Sequence, residues 1–206
     1  TGAVNKELTD ELVWKNRVNY NYGMNESERE ITFDNSNRTV KGDFNSWSAG
    51  AATELEYNKK INDIVTLRPT AGIAIDYLSQ EGYSENGADE LNLKVDSKNS
   101  TSTRIGTGIR VDVTAYKGKK SSIIISPRAD YSYELGNPYG NRNVQISAFE
   151  DSIVLGEREA GKNYLNAGLD IEYKTNEKFS LYGGYDMDVL SENTGYNVVV
   201  GFKYNF

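Results

Sequence analysis

Neither cysteine nor histidine occurs in this chain. Without cysteine there is no disulfide framework and no thiol chemistry. Without histidine, most general-base, triad and zinc designs fall away. Long apolar runs are also missing. No stretch approaches the roughly 18 apolar residues that a transmembrane helix needs. Positive charge is in the minority: 23 Lys and Arg against 30 Asp and Glu give a net charge of −7. With no basic stripe, the balance argues against a nucleic-acid partner. No signal peptide is visible, and a start at Thr1 rather than Met fits a processed or excised segment.

What is present is tyrosine and alternation. Tyrosine outnumbers phenylalanine 15 to 6. Mean hydropathy is −0.64, a value typical of soluble chains. That average conceals a membrane barrel, in which lipid-facing and lumen-facing residues cancel. The last eleven residues set the pattern. Tyr196, Val198, Val200, Phe202, Tyr204 and Phe206 alternate with Asn197, Val199, Gly201, Lys203 and Asn205, the period of two that marks a strand. Residues 1–11 lack a period and read as linker or preceding segment. Residues 12–206 read as one β-domain.

Eight segments repeat the alternation: about 12–24, 46–57, 64–78, 103–116, 121–134, 163–174, 178–190 and 196–206. Their second face carries Lys15, Arg17, Arg68, Lys94, Arg104, Arg110, Arg128 and Lys203. It also carries Glu54, Glu56, Asp76, Asp96, Asp112, Asp130, Asp170, Glu172, Asp186 and Asp188. A soluble sandwich also alternates, so alternation alone does not decide. Three further features favour an all-β, antiparallel, up-and-down transmembrane barrel. The strands are far longer than the usual five or six residues. Aliphatic residues occupy their centres and aromatic residues their ends. The apolar stripe is long enough to cross a hydrocarbon layer, which takes about 9–11 tilted residues. Closure leaves no backbone group stranded in lipid.

Connections alternate in length. Those at 58–63, 117–120 and 174–178 are short and rich in lysine. Those at 25–45, 79–90, 136–162 and 190–195 are longer and acidic. Outer-membrane barrels have short periplasmic turns and long external loops, so the pattern places the C-terminus in the periplasm. Eight crossings keep this parity if 91–115 is one protruding strand and 144–155 an external hairpin or loop. Ten crossings remain the alternative. Tyr57, Tyr173, Phe179, Tyr204 and Phe206 then form the periplasmic girdle. Tyr20, Tyr22, Trp47, Tyr77, Tyr131 and Tyr133 form the outer one.

The charged face becomes a lumen, with Arg68, Arg104, Arg110, Arg128, Asp112, Asp130, Asp170, Glu172, Asp186 and Asp188 as candidate lining residues. A purely structural ion-pair network is the competing reading of the same residues. Asp186/Asp188 and Glu54/Glu56 are paired carboxylates of the kind used in acid–base work, but no histidine accompanies them. The acidic loop residues Glu26, Glu28, Glu30, Glu81, Glu85, Asp89 and Glu90 read as solvated surface ahead of a divalent-cation site. No catalytic, cofactor-binding or metal-binding residue is assigned, and the expectation is a protein without enzymatic activity.

Several ordered stretches resemble the C-terminal translocator barrel of Gram-negative autotransporters (type V secretion). They are Leu67-Arg-Pro-Thr-Ala-Gly-Ile-Ala-Ile-Asp-Tyr77, Gln80-Glu-Gly-Tyr-Ser-Glu-Asn-Gly-Ala88, Leu91-Asn-Leu-Lys-Val95, Arg104-Ile-Gly-Thr-Gly-Ile-Arg-Val111 and Ser126-Pro-Arg-Ala-Asp-Tyr131. The Phe-terminated closing strand resembles the signal that the barrel-assembly machinery reads, carried here by Val200, Gly201, Phe202, Tyr204 and Phe206. Val199 departs from the polar residue often found at its place. The resemblance implies an outer-membrane barrel of about twelve strands, of which this chain supplies the last eight. It implies a role in anchoring and exporting a passenger domain, with outer-membrane lipid, the assembly machinery and the chain's own passenger as partners. In that family a helix threads the lumen. The other reading is a self-contained small barrel with a structural or adhesive role through its external loops.

Overall fold

A computed structural model describes all residues except 34–35, 139, 150, 157–160, 176–177, 191–193 and 205–206, with the side chains of 33, 36, 189 and 190 also outside the description. In chain order the strands are β1 (Gly2–Glu7), β2 (Leu12–Phe33), β3 (Ser36–Tyr57), β4 (Lys59–Lys60), β5 (Val65–Gln80), β6 (Tyr83–Ser84), β7 (Leu93–Val95), β8 (Lys98–Lys117), β9 (Ser122–Glu134), β10 (Arg142–Ile146), β11 (Ser152–Leu155), β12 (Asn163–Lys174), β13 (Phe179–Leu190) and β14 (Thr194–Tyr204). A short 3-10 turn, Asp89–Leu91, precedes β7.

One antiparallel sheet runs β1-β2-β3-β5-β8-β9-β12-β13-β14, with each strand beside its predecessor on the path, and it curls into a half-barrel. The eight alternating segments are its eight long strands. The further apolar runs that would have raised the count to ten lie in a separate sheet, β11-β10-β7-β6. The connections alternate between two ends. The connections at 8–11, 58–64, 118–121 and 175–178 lie at one end; those between β2 and β3, β5 and β8, β9 and β12, and β13 and β14 lie at the other, and the two long excursions, 81–97 and 135–162, are among them.

Three expectations need correcting. Gly2–Glu7, read as linker, is a strand, with Gly2 opposite Val18 and Glu7 opposite Val13. Its lack of alternation does not matter to the ladder, because pairing satisfies backbone groups whatever the side chains are. The turn that follows is held by Thr9, whose Oγ1 accepts from the Leu12 N–H at 3.0 Å. The polar stretch 25–45 is mostly not loop either. The β2–β3 register continues unbroken from Leu12↔Tyr57 to Phe33↔Ser36. Beyond the apolar stripe the outward face turns polar while the ladder persists, and the other face is partly covered, with Val40 fully buried. Finally, 91–115 is not one strand. Leu93–Val95 pairs with β6 and β10, and β8 starts at Lys98 against β5. The break falls at Asp96-Ser97, residue types that are poor in strands. Lys94 and Asp96 therefore leave the charged face of the main sheet. The expected hairpin at 144–155 is present as β10–β11.

The buried apolar side chains among the described residues are Val40, Ala88, Val95 and Val144. All four lie at the long-connection end, where the small sheet docks on the β2–β3 extension. The backbones of Lys41 and Asn86 exchange hydrogen bonds of 3.0 and 2.8 Å. The Tyr83 ring stacks on Phe44 with centroids 4.8 Å apart. The main sheet has no comparable core: its apolar stripe is exposed along every long strand, reaching 71% at Phe202 and 83% at Val200. An apolar surface of that extent marks an interaction face.

Val40 is fully buried at 0% exposure. Val40→Ala is expected to destabilise the docked sheet by about 2 kcal/mol. Limited proteolysis should then cut faster within 81–97, while the ladders among β8, β9, β12 and β13 keep their amide protection.

Candidate functional site

Alternation alone sends the ten candidate lining residues to one face. The ladders then decide which of them meet. Arg68, Arg110 and Arg128 stand directly opposite one another on β5, β8 and β9. Like charges in facing cross-strand positions repel, so this row exists only because acids interleave with it. Arg68 Nε lies 2.8 Å from Asp112, and Arg110 Nε lies 2.9 Å from the other oxygen of the same carboxylate. Arg110 also reaches Asp170 at 3.3 Å, across the intervening strand β9. Arg128 is 3.9 Å from Asp170 and is directly bonded to Asp186. At the other end, Arg68 is 3.8 Å from Glu56, which Lys15 binds directly. The result is one alternating chain: Lys15, Glu56, Arg68, Asp112, Arg110, Asp170, Arg128 and Asp186. It spans every strand from β2 to β13 except the short ones.

Two details make that chain possible. Asp112 is only 14% exposed on its side chain and accepts a third bond, 2.7 Å, from Ser126 Oγ. Gly168 fills the row position between Arg128 and Asp186. A Cβ there would sit 2.5 Å from both Arg128 Nε and Asp186 Oδ1, so glycine leaves the space in which the two side chains meet over β12.

The remaining candidates lie on the same face outside the chain. Arg104 pairs with Asp76 at 3.1 Å, and its guanidinium sits 5.5 Å over the Tyr164 ring, a cation–π geometry. Asp188 accepts from Asn166 at 2.7 Å. Glu172 is 3.7 Å from Lys174. Asp130 makes no ion pair among the described residues and borders an open cavity of about 310 Å³ with Arg17, Glu54, Arg104 and a floor of Ala52, Gly72, Ala74 and Gly106. Asp186 and Asp188 thus answer to different partners, whereas Glu54 and Glu56 share Lys15, which lies 3.9 Å from Glu54 and binds Glu56 directly. No group of three or more potential metal ligands converges among the described residues.

Sequence reasoning placed Lys15 and Glu56 on the charged face without pairing them, and it did not single out Ser126, Gly168 or Tyr164. Alternation identified the face, but the pairing depends on a register that no local signal carries. It also missed a lock at the end where the small sheet docks. Arg29 grips Glu85 through two nitrogens at 3.2 and 2.6 Å, and the Leu93 N–H donates to the same carboxylate at 2.8 Å. Burial pushes the Glu85 carboxyl up. The Arg29 hydrogen bond, the Leu93 N–H and the Arg29 charge outweigh that and hold it below the usual carboxylate range.

At the closing strand, Val200, Gly201, Phe202 and Tyr204 face Gly183, Tyr182, Leu181 and Phe179 of β13. The outer end of the Tyr182 ring lies against Gly201, where a Cβ would come within 2.4 Å of it. Phe179 and Phe202 stack at 6.2 Å. Phe206 lies outside the described residues. Of the two expected girdles, Tyr20, Trp47 and Tyr77 form one aromatic row, with ring centroids 6.3 and 5.1 Å apart.

Comparison with known proteins gives consistent results. A family model described as the autotransporter beta-domain matches residues 2–186. The putative surface-exposed virulence protein BigA of Salmonella typhimurium is 23% identical over 172 residues, covering 81% of this chain but 8% of that protein. The translocator domain of the autotransporter NalP from Neisseria meningitidis superposes with a TM-score of 0.75 at 16% identity, over 99% of this chain and 63% of that one. The last is a likeness of fold.

Removing one shared carboxylate tests the ion-pair chain. Asp112→Ala removes the carboxylate shared by Arg68 and Arg110, leaving Arg110 only Asp170 and Arg68 only the more distant Glu56, and is expected to cost about 2–4 kcal/mol in chemical denaturation. The Arg29–Glu85 lock is tested by pH. A carboxyl lowered in the folded state contributes stability above its unfolded value of about 4.3 and loses it as pH falls through the lowered value. Amide protection of 83–95 should therefore hold from neutral pH down to about 5 and decline below about 4.3. In Glu85→Gln it should be weaker and nearly flat across that range.

Proposed function

The chain belongs to the autotransporter β-domain family, and on that premise we propose that it is an outer-membrane translocator that anchors and helps export a passenger. The observation that carries this reading is the pair of faces on one curled sheet: an exposed apolar stripe along eight long strands, backed by an ion-paired polar face. The stripe meets lipid. The charged face, with Arg68, Arg104, Arg110, Arg128, Asp112, Asp130, Asp170, Glu172, Asp186 and Asp188, lines the lumen, where water and a threaded segment are tolerated.

The two end strands, β1 and β14, have no ladder joining them among the described residues. In lipid each unpaired backbone group costs several kcal/mol. We therefore read residues 12–206 as part of a larger ring, completed by β1 and by strands contributed before Thr1, in preference to a self-contained small barrel. The turns at 58–64, 118–121 and 175–178 face the periplasm. The β2–β3 extension and the four-stranded sheet stand outside the cell, and the C-terminus is periplasmic. At roughly 3.3 Å per residue, a 22-residue strand such as β2 or β3 exceeds the hydrocarbon layer about twofold, which supports an external extension.

In this reading translocation uses no bond-making step. The sheet assembles at the barrel-assembly machinery, which recognises Val200, Gly201, Phe202, Tyr204 and Phe206. The free energy of forming a closed, lipid-sealed ladder drives insertion, and the passenger leaves through the polar interior.

Deleting Phe206 is expected to leave the passenger inaccessible to protease added to whole cells, with the protein accumulating in the periplasm. Unchanged surface exposure of the passenger would overturn the assembly-signal assignment. Leu169→Arg, at mid-stripe, is expected to cost about 2–4 kcal/mol of barrel stability if that face meets lipid and close to nothing if it meets water.

A further inference from the structure

The turn end of the sheet carries an arc of lysine that the proposed function does not use. Lys59 and Lys60 lie in the turn after β3. Lys117, Lys119 and Lys120 form the next turn, and Lys174 and Lys178 flank the one after. The ladders make the arc continuous. The Thr114 N–H donates to the Ile64 carbonyl at 2.8 Å, joining the first turn to the second. Ser122 stands opposite both Lys117 and Lys174, joining the second to the third.

Carboxylates take up part of this charge. Asp63 binds Lys60 at 2.9 Å, and Glu172 lies 3.7 Å from Lys174. The hydrogen bond and charge of Lys60, and more weakly the charge of Lys117, hold the Asp63 carboxyl below its usual range. Among the described residues, Asp10 and Glu11 also lie at this end, in the 8–11 turn, where Glu11 is engaged by the Tyr57 hydroxyl at 2.5 Å; Glu177, between Lys174 and Lys178, lies outside the described residues. Lys59, Lys117, Lys119 and Lys120 are exposed and form no ion pair among the described residues. The opposite end differs. There Lys41 is held by Glu26 and Glu28 at 2.7 and 3.1 Å, and Arg38 by Asp89 at 3.0 Å.

The unpaired lysines have apolar neighbours. Ile61, Ile64 and Tyr116 are exposed beside them, and Tyr57 and Tyr173 stand one step along the stripe. Aromatic and aliphatic groups at the hydrocarbon boundary, with lysine heads reaching past them, match the depth of phosphodiester headgroups. A scatter of solubilising lysines would not require that apolar flank.

We propose that this arc is a headgroup site: Lys59, Lys117, Lys119 and Lys120 engage the phosphates of inner-leaflet phospholipid and select anionic over zwitterionic lipid. The inference rests on the outer-membrane reading and on the turn end facing the periplasm. A juxtamembrane lysine gains about fivefold in partition toward an anionic surface.

The test uses the full-length protein folded into phosphatidylcholine vesicles, with and without phosphatidylglycerol. Insertion is scored first by the heat-dependent gel shift of a folded barrel. Spin-labelled phosphatidylglycerol and phosphatidylcholine then report which lipid occupies the first shell. The expected result is a preference for phosphatidylglycerol of about fivefold or more. It should collapse toward unity in molar salt, where the screening length is only about 3 Å, and in the triple variant Lys117→Gln, Lys119→Gln, Lys120→Gln. An inserted protein with equal affinity for both lipids overturns this inference alone. So does a preference unchanged by the variant. If the variant assembles poorly in cells while its lipid preference stays at the wild-type level, the arc serves an acidic protein surface and the lipid assignment falls. A chain that never inserts overturns the membrane reading and this inference with it.

Discussion

A backbone surrounded by hydrocarbon has no water to bond with, and that constraint organises this molecule. Only ladders satisfy every N–H and C=O there, so the chain doubles back on itself in long antiparallel strands, and side chains divide strictly between two faces. The apolar face lacks a partner within the chain and stays exposed. The polar face must then find its partners within itself. Even β1, with no amphipathic pattern, joins the sheet because pairing is its cheapest way of satisfying its backbone.

Charge on the second face is resolved by sharing. Three arginines in one row would be untenable alone, yet Asp112 and Asp170 each serve two of them, and Gly168 removes the side chain that would separate Arg128 from Asp186. The chain from Lys15 to Asp186 ties β2 to β13 by side chains as well as by backbone, which stiffens a curled sheet that has no packed core beneath it. Packing of the soluble kind begins only where the strands outrun the stripe. Val40, Val95 and Val144 then close a small core around the salt-bridged Glu85. One hairpin, β2–β3, therefore serves two solvents along its length.

Much of this was legible in the sequence because period two is a local signal and the stripe is continuous. The eight long strands and their up-and-down order follow from it; of the connections read as long, only 79–90 and 136–162 are so, because the described residues of 25–45 and 190–195 are strand. The family resemblance likewise rested on stretches such as Leu67–Tyr77 that lie within single strands. What was not legible depended on partners far away in sequence. Gly2–Glu7 is a strand because Val13–Val18 offers an edge. The polar segment 25–45 stays extended because β2 and β3 remain in register. The break at Asp96-Ser97 appears because Leu93–Val95 has a better neighbour in β10. The face of each charged residue could be read, but whether Asp112 meets Arg68, Arg110 or both could not.

The central claim is that the stripe faces lipid and the ion-paired face does not. Because the chain lacks cysteine, single cysteines can be placed without background at consecutive positions 165–171 of β12 and labelled with a fluorophore in bilayers containing a brominated lipid. The account requires quenching that alternates with period two, strong at 165, 167, 169 and 171 and weak at 166, 168 and 170. Uniform quenching, or equal access of both sets to a water-soluble reagent, would contradict it.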